Sequence, residues 1–528
     1  MKFIKLILFL FFLVTITNCS SDAVFFGESE PSINERLHNE IEHNPYFIFD
    51  SDTLLSYKEL LNYYQKNEYQ PLWINDSSLN KKGTEMHALI DNAFSYGLLP
   101  TWFHSDLIHQ YKDTALFKTE VLLSNAYLLY ITHLNVGFLD TLTMNYTWKK
   151  DSVNYIWDEQ LDKVKTSKDI KRLVLSHQPK HWEYVQLQKG LEKFIANYPL
   201  DTIHYKIPKF NEDSIICYNV TKEALFAHRF LKDTIVDDSI FLLKLKAFQI
   251  IHGLKDDAIV GKWTGKMLEL SNYDRFYKAM LSLEKWRWKK PNEFPERYIR
   301  VNIASYTLKL WNNHKIISKH RVVVGKYDTQ TPEFHAQLKR MVTNPFWHLP
   351  YSIASTEFLA HVKKDSNYTN KKGYKIFRNG EEVDPKTVNW NEIKETNFRY
   401  RVRQDGGGGN SLGRLKFLFP NSHSVFIHDT PSKRLFMNDV RSYSHGCVRL
   451  HQPFELGIKI LELDNSNTSP DSLVPIIKRG VQKVIELKQP FEVFIEYYTA
   501  SADSSGNIIF HPDIYNRDDR FLKNIRKN

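Results

Sequence analysis

The sequence predicts a multidomain α+β protein: a helical N-terminal scaffold, a small three-helix module, and a mainly β C-terminal domain broken by a polar insertion. Three observations carry this reading. Apolar residues recur at helical spacing as far as about residue 272. From about Arg297 the period changes to two, the signature of half-buried strands. The chain is also 528 residues long with 42% apolar and 14% aromatic residues, enough for several cores and about three domains on the usual length prior.

At the N-terminus, Lys2 and Lys5 precede an apolar run from Leu6 to Ile16, short for a bilayer span and of secretory h-region length. The run ends Ile16-Thr17-Asn18-Cys19-Ser20, which resembles a lipoprotein processing box and implies lipidation of Cys19. A cleaved signal peptide or an uncleaved anchor are the alternatives, and each exports the chain. Residues 1–19 are therefore read as leader and 20–44 as a polar tether.

The scaffold is placed at 45–215. Tyr57, Leu60, Leu61 and Tyr64 recur at three and four, as do Met86, Leu89, Ile90 and Phe94, and Leu122 to Leu134 is dense enough for a buried helix. Gly97 and Pro100 break the pattern after Tyr96. Nothing in this stretch has a catalytic spacing.

Residues 216–285 form the small module, with helices expected over Thr221–Phe230, Ile240–Ile251 and Lys262–Leu270. Gly253 ends one helix, Asp256-Asp257 make a turn, and Thr264 lies near the start of the next. The set Leu245, Phe248, Gly253, Leu254, Asp257, Val260, Gly261, Thr264 and Leu268 is similar to the peptidoglycan-binding domain of wall enzymes, with Ala258 where that family has glycine. The resemblance implies binding of glycan or stem peptide; the plainer alternative is a spacer. Cys217, in the strand-like run Ile215-Ile216-Cys217-Tyr218, reads as a buried core thiol.

The β domain is placed at 286–515 and a C-terminal tail at 516–528. Ile299, Val301 and Ile303 alternate with Arg300 and Asn302, and Val322 to Gly325 forms another run. A polar insertion occupies about 357–409 and ends in four glycines, Gly406 to Gly409, a natural hinge. Ser424 to His428 alternates as a strand that carries His428 toward the loop of Cys447.

The chemistry concentrates in Ser444-His445-Gly446-Cys447-Val448-Arg449, with Ile427-His428-Asp429-Thr430 upstream. A thiol, nearby imidazoles and a glycine before the cysteine are the parts of acyl transfer through a thioester. The chain has only three cysteines, too few for a disulfide framework in a body this size. A free thiol kept in an oxidising compartment needs a reason, and nucleophilic catalysis supplies one.

This arrangement resembles the L,D-transpeptidases of bacterial cell walls, whose signature is a histidine, a spacer, then Ser/Thr-His-Gly-Cys-x-Arg/Asn; here fifteen residues separate His428 from Ser444. Pro71-Leu72-Trp73 and Tyr96-Gly97-Leu98-Leu99-Pro100 resemble the helical scaffold of the large members, and Asn344 to Ile353 their entry into the cleft. The resemblance implies Cys447 as nucleophile and His428 as base and ion-pair partner, oriented by the Asp429 carbonyl. It implies oxyanion donors at Gly446 and Cys447, His445 lining the pocket, and Arg449 gripping a substrate carboxylate. Tyr443 and Trp347 are cleft candidates, Asp429 is a further candidate for substrate contact, and the insertion would cap the substrate.

The implied function is 3→3 cross-linking of peptidoglycan through a Cys thioacyl-enzyme, with D-alanine released from a tetrapeptide stem. It needs no metal or organic cofactor. The alternatives are an L,D-carboxypeptidase or a wall-anchoring ligase of the same fold, or a non-catalytic wall-binding lipoprotein. The implied setting is the periplasm or cell envelope, with roles in wall organisation and cell shape. His428, His445, Cys447 and His451 could be weighed as zinc ligands, but neither a C-x-x-C hairpin nor an H-E-x-x-H helix is present. Ser444 is a poorer nucleophile than its neighbouring thiol. The formal charge of +10 is spread along the chain rather than clustered, which favours an anionic wall or membrane surface over nucleic acid.

Overall fold

In a computed structural model the chain is described at residues 31–44, 46, 48–49, 52–54, 57–139, 156–289 and 294–525. The leader, Cys19 and the first part of the expected tether lie outside the described residues. The chain divides into two compact units, residues 1–71 and 72–528. No helix among the described residues is long and apolar enough to cross a membrane.

In the first unit, helix α1 (Ile33–His43) occupies what composition suggested was tether. A capping box explains it. The Ser32 side chain accepts from the Glu35 N–H while Glu35 reaches back to Ser32, and Leu37 and Ile41, one turn apart, form a buried stripe. Helix α2 (Tyr57–Lys66) buries Leu60, Tyr63 and Tyr64.

Among the described residues the second unit begins with six α-helices: α3 (Lys81–Asp91), α4 (Ser105–Tyr111), α5 (Leu116–Val136), α6 (Trp157–Thr166), α7 (Ile170–Leu175) and α8 (Trp182–Asn197). Helix α5 is buried on nearly every side, as the density of Leu122 to Leu134 requires. Each fully buried Leu or Ile on it contributes about 1.5–3 kcal/mol. Its buried Glu120 is satisfied: the carboxylate accepts from the N–H groups of Leu72 and Trp73 at 2.7 and 2.9 Å.

Three helices follow in the small module, α9 (Ser214–Ala227), α10 (Asp238–Ile251) and α11 (Lys262–Leu268). Cys217 is fully buried on α9, so its thiol is a core group, but the strand-like run is helical. The Asp213 side chain caps α9 by accepting from the Ile216 N–H, and that cap overrides the β preference of Ile-Ile-Cys. Gly253 ends α10 with φ +67, and Ala258 takes φ +58, holding the turn in a left-handed conformation without glycine.

Helix α12 (Asn272–Arg287) joins the helical region to the β domain. Its Glu284 is fully buried and accepts from the N–H groups of Phe138 and Leu139 and from Trp288 Nε1, all at 2.8 Å. Gly137 passes so close that a Cβ there would sit 2.3 Å from that carboxylate. On the other side Lys285 donates to the Tyr497 carbonyl at 2.8 Å and faces Glu333.

Nine strands build the β domain: β1 (Arg297–Asn302), β2 (Thr307–Asn312), β3 (Lys315–Gly325), β4 (Phe334–Thr343), β5 (Leu415–Leu418), β6 (Ile427–His428), β7 (Ser442–Ser444), β8 (Val448–Leu450) and β9 (Lys483–Glu496). The hydrogen-bonded order β3-β8-β6-β5-β4-β9-β1-β2 returns from β2 to β3, so eight strands close a barrel, and β7 adds to β3. Closure removes exposed edges. Leu310, Val322, Leu338, Phe417, Ile427 and Val448 fill the interior. Period two then sends Lys416, His428 and Arg449 to the outer face.

The insertion between β4 and β5 is a lobe with its own four-stranded sheet and its own core, which includes Phe358, Ile376, Trp390 and Val402. It reaches back to Trp347 and His348, which pair with Gln404 and Arg403, earlier than the polar composition indicated. The expected tail is also structured: Arg517–Ile525 is a helix whose Phe521 and Ile525 pack into the helical core, and whose Asp518 pairs with Lys278.

Candidate active site

Register assembles the site. Lys416, His428 and Arg449 are cross-strand partners on β5, β6 and β8, so their side chains lie in a row on the outer face. Cys447 stands two residues before Arg449, just ahead of β8, and the same alternation brings its sulfur to that face. The Lys416 ammonium lies 3.7 Å from the centre of the Phe426 ring, and that ring is 5.5 Å from the His428 imidazole. The Cys447 thiol contacts the Ser424 carbonyl at 3.9 Å. The expected strand from Ser424 shrinks to Ile427–His428, because Ser424 adopts φ +55 and turns the chain toward the thiol.

His428 is 4% exposed and its Nδ1 lies 2.5 Å from the Asp429 carbonyl. That oxygen can only accept, so Nδ1 carries the proton and Nε2 is left as the basic nitrogen. Burial, the Arg449 guanidinium and the Lys416 ammonium outweigh the Asp429 and Leu412 carbonyls and hold the imidazole pKa down to about 3. Burial pushes the Cys447 thiol up, opposed by the Phe426 N–H and by Lys416 and Arg449. The substrate-free pair is thus thiol and neutral imidazole. This differs from the ion pair expected from sequence: the positive charges acting on the sulfur are Lys416 and Arg449.

The Asp429 side chain is occupied. One oxygen accepts from the Arg414 N–H at 2.8 Å, the other from the Thr430 N–H and Lys433 Nζ at 2.7 Å. A Cβ at Gly413, which has φ +61, would fall 2.4 Å from this carboxylate. Asp429 therefore braces the turn and orients His428, and the substrate contact expected of it is not available.

Gly446 has φ +112, a conformation that favours glycine. Its N–H donates to Ser444 Oγ at 3.1 Å, and that hydroxyl donates to the Cys447 carbonyl at 2.6 Å. The oxyanion role expected of the Gly446 N–H is therefore closed in this conformation, whereas the Cys447 N–H has no hydrogen-bond acceptor among the described residues. The 325–331 turn buttresses the loop: Thr331 Oγ1 donates to the Gly446 carbonyl at 2.8 Å and Thr329 Oγ1 to that of Ser444 at 3.1 Å.

His445 faces the lobe, its Nε2 2.6 Å from Glu357 Oε1. Arg449 is half-buried and meets no carboxylate among the described residues. Tyr443 is exposed, with Asn438 donating to its hydroxyl at 2.9 Å, and Trp347 is half-buried on the lobe's sheet. Sequence reasoning missed Lys416, Glu357, Thr329 and Thr331. Lys416 had a signal available, a lone cation midway along an apolar strand; the others act only through tertiary contact.

Residues 296–456 match the L,D-transpeptidase catalytic domain family (YkuD), and residues 58–191 match a family described as the scaffold domain. A protein of Haemophilus influenzae (strain Rd) provisionally named an L,D-transpeptidase is 35% identical over 221 residues, 42% of this chain and 44% of that protein. The match spans less than half the length of that relative. Among solved structures, the Ldtfm–avibactam carbamoyl enzyme and an L,D-transpeptidase from Mycobacterium smegmatis are similar at 13% and 11% identity, each over 38% of this chain. They are covered over 49% and 58% of their own lengths, with a TM-score of 0.19 for each.

Proposed function

From a chain that carries an L,D-transpeptidase catalytic domain behind a helical scaffold domain, we propose an enzyme that forms 3→3 peptidoglycan cross-links through a thioacyl intermediate on Cys447. The observation that carries this reading is the row Lys416, His428 and Arg449 beside the thiol, with Nδ1 of His428 engaged by the Asp429 carbonyl.

Cys447 Sγ attacks the carbonyl of the third residue of a tetrapeptide stem, and His428 Nε2 takes the thiol proton. The Cys447 N–H faces the developing oxyanion. The C–N bond breaks, His428 returns the proton to the leaving nitrogen, and D-alanine departs. The side-chain amine of an acceptor stem, from a diamino acid such as meso-diaminopimelate, then attacks the thioester. Its proton passes through His428 to the sulfur and the thiol is restored. Arg449, with no carboxylate beside it among the described residues, is the group to receive a stem carboxylate. The site of action is the cell envelope, with Cys19 as the lipid anchor.

Muropeptides incubated with the purified mature protein and analysed by mass spectrometry test this. The expected products are 3→3 dimers and one D-alanine per link, with none from Cys447→Ala. Tripeptide without dimer identifies water as acceptor and an L,D-carboxypeptidase. A stem joined to a protein amine identifies an anchoring ligase, and no product from the folded protein leaves a wall-binding role.

A further inference from the structure

Away from the thiol, three scaffold side chains converge. His87 and Asp91 lie one turn apart on α3, which puts both on one face, and His109 comes from α4. His109 Nε2 stands 2.9 Å from one Asp91 oxygen, and His87 Nε2 stands 3.8 Å from the other. The two imidazoles meet edge-on with centroids 4.7 Å apart. One donor atom from each residue lies within 4.8 Å of the other two, and no other group of three does so among the described residues.

A surface His–Asp pair accounts for His109 and Asp91 but leaves His87 unexplained. Its side chain is only 15% exposed, and Nε2 is buried with no hydrogen-bond partner among the described residues. Such a group destabilises the fold unless something satisfies it. We propose that His87, Asp91 and His109 form a binding site for a divalent transition-metal ion of the zinc type, which staples α3 to α4.

Two imidazoles and one carboxylate suit zinc, with a water in the fourth position, and suit calcium or magnesium poorly because those prefer all-oxygen sets. Lys112, a cation close enough to act on His87, is paired with Asp113 at 2.7 Å. The stapled connection is the break after Tyr96, where Gly97 has φ +64 and only two short 3-10 turns bridge the helices. Closing it with a metal restricts a connection that only 3-10 turns hold.

The test uses the mature protein after dialysis against a chelator. Zinc titrated by calorimetry should bind at one equivalent per chain and raise the melting temperature, and cobalt(II) should give the intense visible bands of a tetrahedral site. His109→Ala should abolish both effects and Asp91→Asn should weaken binding at least tenfold, while metal-free melting temperatures stay unchanged because both residues are exposed. Cys447→Ala should bind zinc as the parent does. Absence of stoichiometric binding overturns the proposal. So does binding that survives both His87→Ala and His109→Ala, or that is lost in Cys447→Ala, which would put the ion at the catalytic thiol.

Discussion

Lys416 and His428 are paired across the antiparallel strands β5 and β6, and His428 is paired in turn with Arg449 on β8, so the base sits between two cations. Both cations lower the His428 pKa and both oppose the rise of the Cys447 thiol. The arrangement keeps the base neutral and favours the thiolate with the same two charges. Lys416 itself is held down by burial, partly offset by the sulfur.

Replacing that charge should be felt at the sulfur. Lys416→Met keeps the stem packed on Phe426 but removes the ammonium, and loss of one cation at this range moves a pKa by about one unit. Acylation by a carbapenem should slow about tenfold at neutral pH, and the pH at which Cys447 reacts with iodoacetamide should rise. Lys416→Arg should restore much of the rate. Equal rates in the Met variant and the parent would mean that Arg449 alone sets the thiol.

The neutral base has a second consequence. A free imidazole titrates near 6.5, so a base of that kind would lose activity about tenfold per pH unit below it. With His428 at about 3, kcat/KM for acylation should stay level from about pH 7 to about pH 5. Intact-mass analysis across this range should show one carbapenem adduct on the parent and none on Cys447→Ala. A fall with an apparent pKa near 6.5 would show that substrate or solvent relieves the burial.

How much of this was legible in sequence depends on the distance over which each residue acts. The motif around Cys447, the helix through Leu122 to Leu134 and the strand at Ile299 to Val301 are local patterns, and local patterns survive folding. The strand-like run around Cys217 and the expected tail misled because a single cap at Asp213 and a single apolar stripe at Phe521 and Ile525 decide their structure. Lys416 stands out locally only as a lone cation in an apolar strand, and only strand register shows its partner, His428. The Gly446 N–H was assigned by analogy of position, and the Ser444 hydroxyl that captures it acts through a turn geometry that spacing does not encode.

Ala258 offers a test of local strain in the small module. It sits at φ +58, a conformation that costs an L-residue about 1–2 kcal/mol, while glycine's added unfolded-state entropy costs about 0.4–1 kcal/mol. Ala258→Gly should therefore stabilise the protein by about 0.5–1 kcal/mol, read as a higher denaturation midpoint. Its N–H bond to Gln249 Oε1 at 2.9 Å should be retained. A lower midpoint would mean that the buried methyl outweighs the strain.

The glycine run at the lobe's exit separates packing from hinge motion. A Cβ at Gly406 would meet the Asn344 carbonyl at 2.3 Å, and Asn344 is itself pinned through its side chain to the carbonyls of Ile477 and Val481. Gly406→Ala should thus destabilise by about 1–3 kcal/mol through forced displacement of backbone. At Gly409 an added Cβ meets nothing within 4 Å, so Gly409→Ala should leave stability unchanged or raise it by about 0.4–1 kcal/mol. If the lobe moves as a lid, the stiffer link should still change the acylation rate, and hydrogen exchange across the lobe should slow once Cys447 is acylated. The latch between His445 and Glu357 gives the same motion a second handle, because Glu357→Gln should speed exchange in the free enzyme. Unchanged kinetics in Gly409→Ala, with equal protection before and after acylation, would identify the lobe as fixed structure and leave Gly406 as a packing glycine only.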